Sequence, residues 1–154
     1  FLKYVHDIDA STLKKNTQLN KELKKLPGKL YIYTNGSTDH ALNVLENLRI
    51  NSSMFEIFDI KDANYIPKPS KESLAYFIKK FNINPLKSIF FEDISINLKN
   101  PKLLGFKTVL IKNDFHPDNT NQIIKNTVDN IKYIDFITSN ITQFIKQINL
   151  DINE

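Results

Sequence analysis

The sequence predicts an α/β protein built on a parallel sheet. Three observations point there. Short runs of β-formers alternate with helix-period segments. Turn formers separate the two kinds of segment. The 154 residues, 41% hydrophobic and 11% aromatic, are enough for one domain with a real core. Strands that alternate with helices pair in parallel through right-handed crossovers.

The pivotal strand is Leu30-Tyr31-Ile32-Tyr33-Thr34, read as buried and stopped by Asn35-Gly36. A helix over about 37–49 follows, with Ser37 as N-cap and Ala41, Val44, Leu45 and Leu48 on one face. Before the strand, Leu19, Leu23 and Leu26 predict a short helix closed by Pro27-Gly28. Phe55-Glu56-Ile57-Phe58-Asp59-Ile60 reads as a second strand. A polar loop then leads to Ile66-Pro67-Lys68-Pro69-Ser70, where Ser70 caps a helix carrying Leu74, Phe77, Ile78 and Phe81. Asn84-Pro85 breaks that helix, and Ser88-Ile89-Phe90-Phe91 is a third strand running into Glu92-Asp93. Leu103-Leu104-Gly105 ends a further helix with glycine in the C′ role. Lys107-Thr108-Val109-Leu110-Ile111 is a fourth strand, followed by a turn-rich loop over 112–119. A last short strand is expected over 131–134. Ile137, Ile141, Phe144, Ile145 and Ile148 predict a C-terminal amphipathic helix.

Composition narrows the chemistry. The chain has no cysteine, which excludes disulfides, thiolate metal sites and a cysteine nucleophile and suits a reducing cytoplasm. No apolar run is long enough to span a bilayer, so no membrane partner is expected. The net charge of +4 comes from scattered lysines. It suits an anionic substrate or a plain solvated surface, and no nucleic-acid motif accompanies it.

In parallel α/β sheets ligands bind beyond the carboxyl ends of the strands. Three polar groups fall at or near such ends. Thr34-Asn35-Gly36 offers a hydroxyl, an amide and turn N–H groups facing a helix N-terminus, where an anion is favoured. Lys68, stiffened between Pro67 and Pro69, is placed to neutralise a phosphoryl oxygen. Asp93 follows an apolar strand and suits Mg²⁺, which takes few carboxylates and keeps its waters. Glu92 and Asn97 are supporting candidates. Taken singly, each feature also fits something plainer: a β-to-helix turn, a proline loop, a helix cap.

The order hydroxyl, lysine, strand-borne acid resembles the haloacid-dehalogenase-like (HAD) phosphohydrolases. Tyr31-Ile32-Tyr33-Thr34-Asn35-Gly36 looks like their second motif, Lys68-Pro69 like the third, and Phe90-Phe91-Glu92-Asp93 with Asn97 and Leu98 like the fourth. The similarity is greatest to the pyrimidine 5′-nucleotidase branch. It is carried by Phe1-Leu2-Lys3-Tyr4-Val5-His6-Asp7-Ile8-Asp9, Leu26-Pro27-Gly28, Ser37 with His40-Ala41, and Leu103-Leu104-Gly105 before Thr108-Val109-Leu110. Ile94 stands where many relatives carry serine.

The resemblance implies a three-layer Rossmann-like core over 1–154, with 1–16 as a segment returning from a cap. It implies Mg²⁺-dependent release of phosphate from nucleoside monophosphates through an aspartyl-phosphate. In that scheme Thr34, Asn35 and Gly36 bind phosphate, Lys68 binds phosphate and is catalytic, Asp93 anchors the metal, and Glu92 and Asn97 support them. The family's first motif, Asp-x-Asp-x-Thr, has no clean copy here. Asp7-Ile8-Asp9-Ala10-Ser11-Thr12 is the only candidate, and the span from Asp7 to Thr34 leaves no room for an inserted cap. The nucleophile, the first-motif strand and most of the cap are therefore expected ahead of Phe1, and this chain alone is expected to be inactive. The alternatives are a HAD phosphatase for another small phosphate ester, such as a sugar phosphate, and an inactive module that binds phosphate or a partner.

Overall fold

The computed structural model describes residues 13–112 and 131–153. The chain divides into two compact units, Lys68–Asn140 and the parts on either side of it, Phe1–Pro67 with Ile141–Glu154. Among the described residues, no helix is long and apolar enough to cross a membrane. The 1–9 segment with Asp7 and Asp9, and most of the 112–119 loop, lie outside the described residues.

In the first unit, helix α1 (Thr17–Leu23) starts at Asn16, whose side chain accepts the Leu19 N–H. Strand β1 (Leu30–Tyr33) leads to helix α2 (Thr38–Leu48), which Ser37 caps and Arg49 ends in the left-handed region. Strand β2 (Phe55–Phe58) pairs with β1 in parallel, with Tyr33 opposite Phe58. Their rings meet edge to face at 5.2 Å. Two expectations are corrected here. β1 is half-buried along its length rather than buried, and β2 stops at Phe58, with Asp59 and Ile60 opening a 59–65 loop through their carbonyls. Leu19, Ala41, Leu45, Ile50, Phe58 and Ile60 form the core of this unit, joined by Ile145 of the C-terminal helix α5 (Ile141–Asn153).

In the second unit, helix α3 (Lys71–Phe81) opens on Ser70, whose hydroxyl accepts the N–H groups of Glu72 and Ser73. Strand β3 (Ile89–Glu92) pairs in parallel with β4 (Lys107–Ile111), and β4 pairs in parallel with β5 (Phe136–Thr138). Helix α4 (Lys99–Leu104) connects β3 to β4 and ends on Gly105 at φ 100°. Leu74, Phe77, Phe90, Leu98, Phe106 and Val109 fill this core.

The last strand is not at 131–134. Ile131–Tyr133 makes a single 3₁₀ turn, and the strand lies at Phe136–Thr138. Ile137 belongs to that strand, so α5 begins only at Ile141. Asp135 sets the shift. Its carboxylate accepts the N–H of buried Thr108, while its own N–H bonds back to the Thr108 hydroxyl and carbonyl oxygens. Those bonds fix which residues lie beside β4.

Candidate active site

Two clusters hold the residues singled out by the sequence, one in each unit and each at a strand's carboxyl end. In the first unit the parallel pairing runs one residue past β1, where the Thr34 N–H donates to the Phe58 carbonyl at 3.0 Å. Thr34 Oγ1 accepts the Gly36 N–H at 2.9 Å, which closes the turn. Glycine permits that approach, since a Cβ at position 36 would stand 3.3 Å from Thr34 Oγ1. The Gly36 N–H is thus engaged within the turn, and the Thr34 hydroxyl keeps its own proton to donate. Ser37 Oγ accepts the His40 N–H at 3.2 Å and starts α2. Thr34 is half-buried and Asn35 exposed.

Sequence reasoning missed Asp59. It is buried just past β2, and its Oδ2 accepts the Thr38 N–H at 3.1 Å and the Thr38 hydroxyl at 2.8 Å. Its Oδ1 accepts the N–H groups of Lys61 and Asp62 at 2.8 and 3.1 Å. Burial pushes this carboxyl up, but the donors of Asp62, Thr38 and Lys61 outweigh it and hold the group below its usual range. The signal available was an Asp at the end of an apolar run, followed by turn-forming residues.

In the second unit Glu92 is the hub. Strand alternation puts it on the same buried face of β3 as Phe90. Lys68 Nζ lies 2.5 Å from Glu92 Oε1, and the Asn97 side-chain amide donates to the same oxygen at 3.0 Å. Oε2 accepts the N–H groups of Asp93 and Ile94 at 3.0 and 3.1 Å. The side chains of Lys68 and Glu92 are 15% and 5% exposed, so this is a largely desolvated charge pair. Burial raises the Glu92 carboxyl, but the Lys68 ammonium beside it prevails and the group stays below its usual range. Asn100 donates to the Pro69 carbonyl at 2.6 Å and ties the Lys68 segment to α4.

Lys68, Glu92 and Asn97 are therefore brought together, with Asn97 bonded to Glu92. Asp93 follows Glu92 directly and presents its side chain in an exposed position. The second unit thus offers a charge pair at the carboxyl end of β3 with an exposed carboxylate next to it, and the first unit offers a hydroxyl turn at the carboxyl end of β1. The chain belongs to the haloacid dehalogenase-like hydrolases, whose family profile matches residues 4–99.

Solved structures share the fold. The L-2-haloacid dehalogenase from Xanthobacter autotrophicus with chloropropionic acid covalently bound is 16% identical at a TM-score of 0.60, over 85% of this chain and 58% of that one. A haloacid dehalogenase-like protein of unknown function from Agrobacterium tumefaciens is 14% identical at a TM-score of 0.62, over 90% of this chain and 65% of that one. The β-phosphoglucomutase from Clostridium difficile is 20% identical at a TM-score of 0.57, over 99% of this chain and 63% of that one. The chain thus spans less than two thirds of the length of each, and at these identities the likeness concerns the fold. No curated protein matches the chain.

Proposed function

We propose that the full-length protein is a Mg²⁺-dependent phosphohydrolase that releases phosphate from nucleoside 5′-monophosphates, pyrimidine nucleotides foremost. The observation that carries this reading is a desolvated Lys68–Glu92 pair at the end of β3, followed directly by the solvent-exposed carboxylate of Asp93. Glu92 is fully engaged by Lys68, Asn97 and two N–H groups. Asp93, next to it, is exposed. The pyrimidine branch is supported by the sequence resemblance at 26–28, 34–41 and 103–110.

The donor chemistry fits Mg²⁺. Asp93 is a hard oxygen ligand, and Mg²⁺ is commonly held by one or two carboxylates together with water and substrate phosphate. Among the described residues there is no cluster of three or more ligating side chains, so the further ligands would be water, phosphate and groups outside those residues. When bound, the ion offsets charge on the phosphoryl oxygens.

This chain's own residues then have distinct tasks. The Thr34 hydroxyl and the Asn35 N–H hold phosphoryl oxygens. Lys68 carries positive charge to the transferring group, and Glu92 and Asn97 fix where that charge sits. The nucleophile would be an Asp outside the described residues. Its carboxylate forms a bond to phosphorus as the ester P–O bond breaks, a neighbouring acid protonates the leaving nucleoside oxygen, and water then cleaves the aspartyl-phosphate. Stabilising charge on the transferring phosphoryl group is the principal catalytic demand, which suits a preset lysine.

The test is to incubate the full-length protein with Mg²⁺ and, separately, with UMP, CMP, glucose 1-phosphate and 2-chloropropionate, measuring phosphate or chloride. Release from UMP and CMP that exceeds release from the sugar phosphate and is lost on Lys68→Ala supports the proposal. Chloride release without phosphate release, or hydrolysis of the sugar phosphate alone, overturns it.

A further inference from the structure

We propose that Asp59 is a positioning residue: its carboxylate, bound to Thr38 on one oxygen and to the 61–62 amides on the other, holds the 34–37 turn in its phosphate-binding shape. This rests on the function proposed above, which assigns phosphate to that turn.

The ties between the turn and the exit of β2 fall on alternate residues. The Thr34 N–H donates to the Phe58 carbonyl, the Gly36 carbonyl accepts the Ile60 N–H at 3.1 Å, and Thr38 gives both its donors to Asp59. The turn is therefore held as an extension of the β1–β2 pairing, at positions 34, 36 and 38. Two of those ties are ordinary backbone bonds. The third needs a side chain, because α2 has begun by residue 38 and the backbone there has left the sheet.

Asp59 and Ser37 share the capping of α2: Asp59 accepts the N–H of Thr38, its first residue, and the Ser37 hydroxyl accepts the His40 N–H. The Asp59 carboxylate reaches further than a cap requires, since its other oxygen holds the 61–62 amides. The four N–H and O–H donors outweigh the burial of this carboxylate, so as an anion it also stabilises the fold. Its geometry adds more: one rigid anion fixes Thr38 and the 61–62 amides at once, so the turn cannot slide along β2. The Thr34 hydroxyl, held by the Gly36 N–H, then keeps a fixed origin for its donated proton.

Asp59→Asn tests this. Asparagine keeps one acceptor oxygen and sets an N–H₂ against one of the two donor pairs. The full-length protein is titrated with inorganic phosphate in the presence of Mg²⁺, well below its melting temperature. The Thr34, Asn35 and Gly36 amide resonances are followed in the same samples. The expected result is displaced resonances and a phosphate dissociation constant about tenfold higher, the equivalent of one hydrogen bond's net worth. Thr38→Val, which loses the hydroxyl but keeps the N–H, should give about a threefold change in the same direction. A lower melting temperature with phosphate affinity within about twofold of wild type would leave Asp59 a structural residue only and overturn the proposal. Should Asp59→Asn fail to fold, Thr38→Val decides by the same readings. If the wild type binds no phosphate, the proposed function fails. The amide resonances then decide separately whether Asp59 holds the turn: unmoved, they overturn that role as well.

Discussion

Breaking the Lys68–Glu92 pair should be among the costliest single changes outside the apolar cores. Glu92→Gln removes the charge from a side chain that is 5% exposed and leaves a lysine that is 15% exposed facing an amide. Removing one partner of a buried pair costs about 3–5 kcal/mol. The residual exposure of Lys68 lets its ammonium move toward water, so the lower end, about 3 kcal/mol, applies. For a protein of this size that lowers the melting temperature by roughly 6–12 °C. Lys68→Met acts from the other side. Glu92 keeps Asn97 and the two N–H groups but loses the charge that holds its carboxyl down. The sign with pH follows. A depressed carboxyl contributes stability above its ordinary range, about pH 4.3, and loses it as pH falls through the depressed value. The gap between wild type and Lys68→Met should therefore be widest at neutral pH and narrow below about pH 4. In the double variant Lys68→Met/Glu92→Gln both charges are gone, and its loss should fall short of the summed single losses by about 1–3 kcal/mol. Urea unfolding followed by far-UV circular dichroism gives the three free energies, and hydrogen exchange at the Asp93 and Ile94 amides gives the local effect. Additivity within about 0.5 kcal/mol, with no narrowing at low pH, would refute the pair as a coupled, desolvated unit.

Asp93→Asn should lower the phosphatase activity proposed for the full-length protein about 100-fold and raise the half-saturating Mg²⁺ concentration, with stability changed by less than about 0.5 kcal/mol because the side chain is exposed; unchanged Mg²⁺ dependence in a kinetic titration would refute the metal role. Gly105→Ala should cost about 1–3 kcal/mol, since φ is 100° there and a Cβ would meet Leu86 Cδ2 at 2.6 Å; an unaltered melting curve would count against it. Thr108→Val should cost about 1–3 kcal/mol, because the buried hydroxyl donates to the Tyr133 carbonyl and accepts the Asp135 N–H; urea unfolding measures it.

Local signals in the sequence were sufficient wherever a residue's role is settled by its near neighbours. Ser37 and Ser70 cap the helices they precede, and Gly105 ends α4 in the left-handed region. β4 occupies 107–111, where Val109, Leu110 and Ile111 supply the β-formers. What stayed hidden depends on partners far along the chain. Glu92 reads as half of an acidic pair, and only its meeting with Lys68, 24 positions away, makes it the hub. Asp59 reads as the end of a strand until Thr38 is brought beside it. The last strand was misplaced for the same reason. Ile131 and Ile134 are as apolar as Phe136 and Ile137, and it is the bonding of Asp135 to Thr108, 27 positions back, that settles the register. The turn before α5 carries a local sign, since Thr138 Oγ1 accepts the Asn140 N–H and so separates Ile137 from the helix.

The division of the chain has a consequence for its synthesis. The unit Lys68–Asn140 is continuous, whereas the other draws on chain from both sides of it. α1 is completed by α5: Asn149 donates to the Glu22 carbonyl and carboxylate, Thr142 meets Asn16, and Leu19 and Ile145 are both buried. A ribosome adding about 5–20 residues per second needs several seconds to make the intervening segment. Throughout that interval α1 has no α5 to cover it. A chain cut short just after Asn140 would lack α5 altogether, with the face around Leu19 and Glu22 left for chaperones and proteases to find.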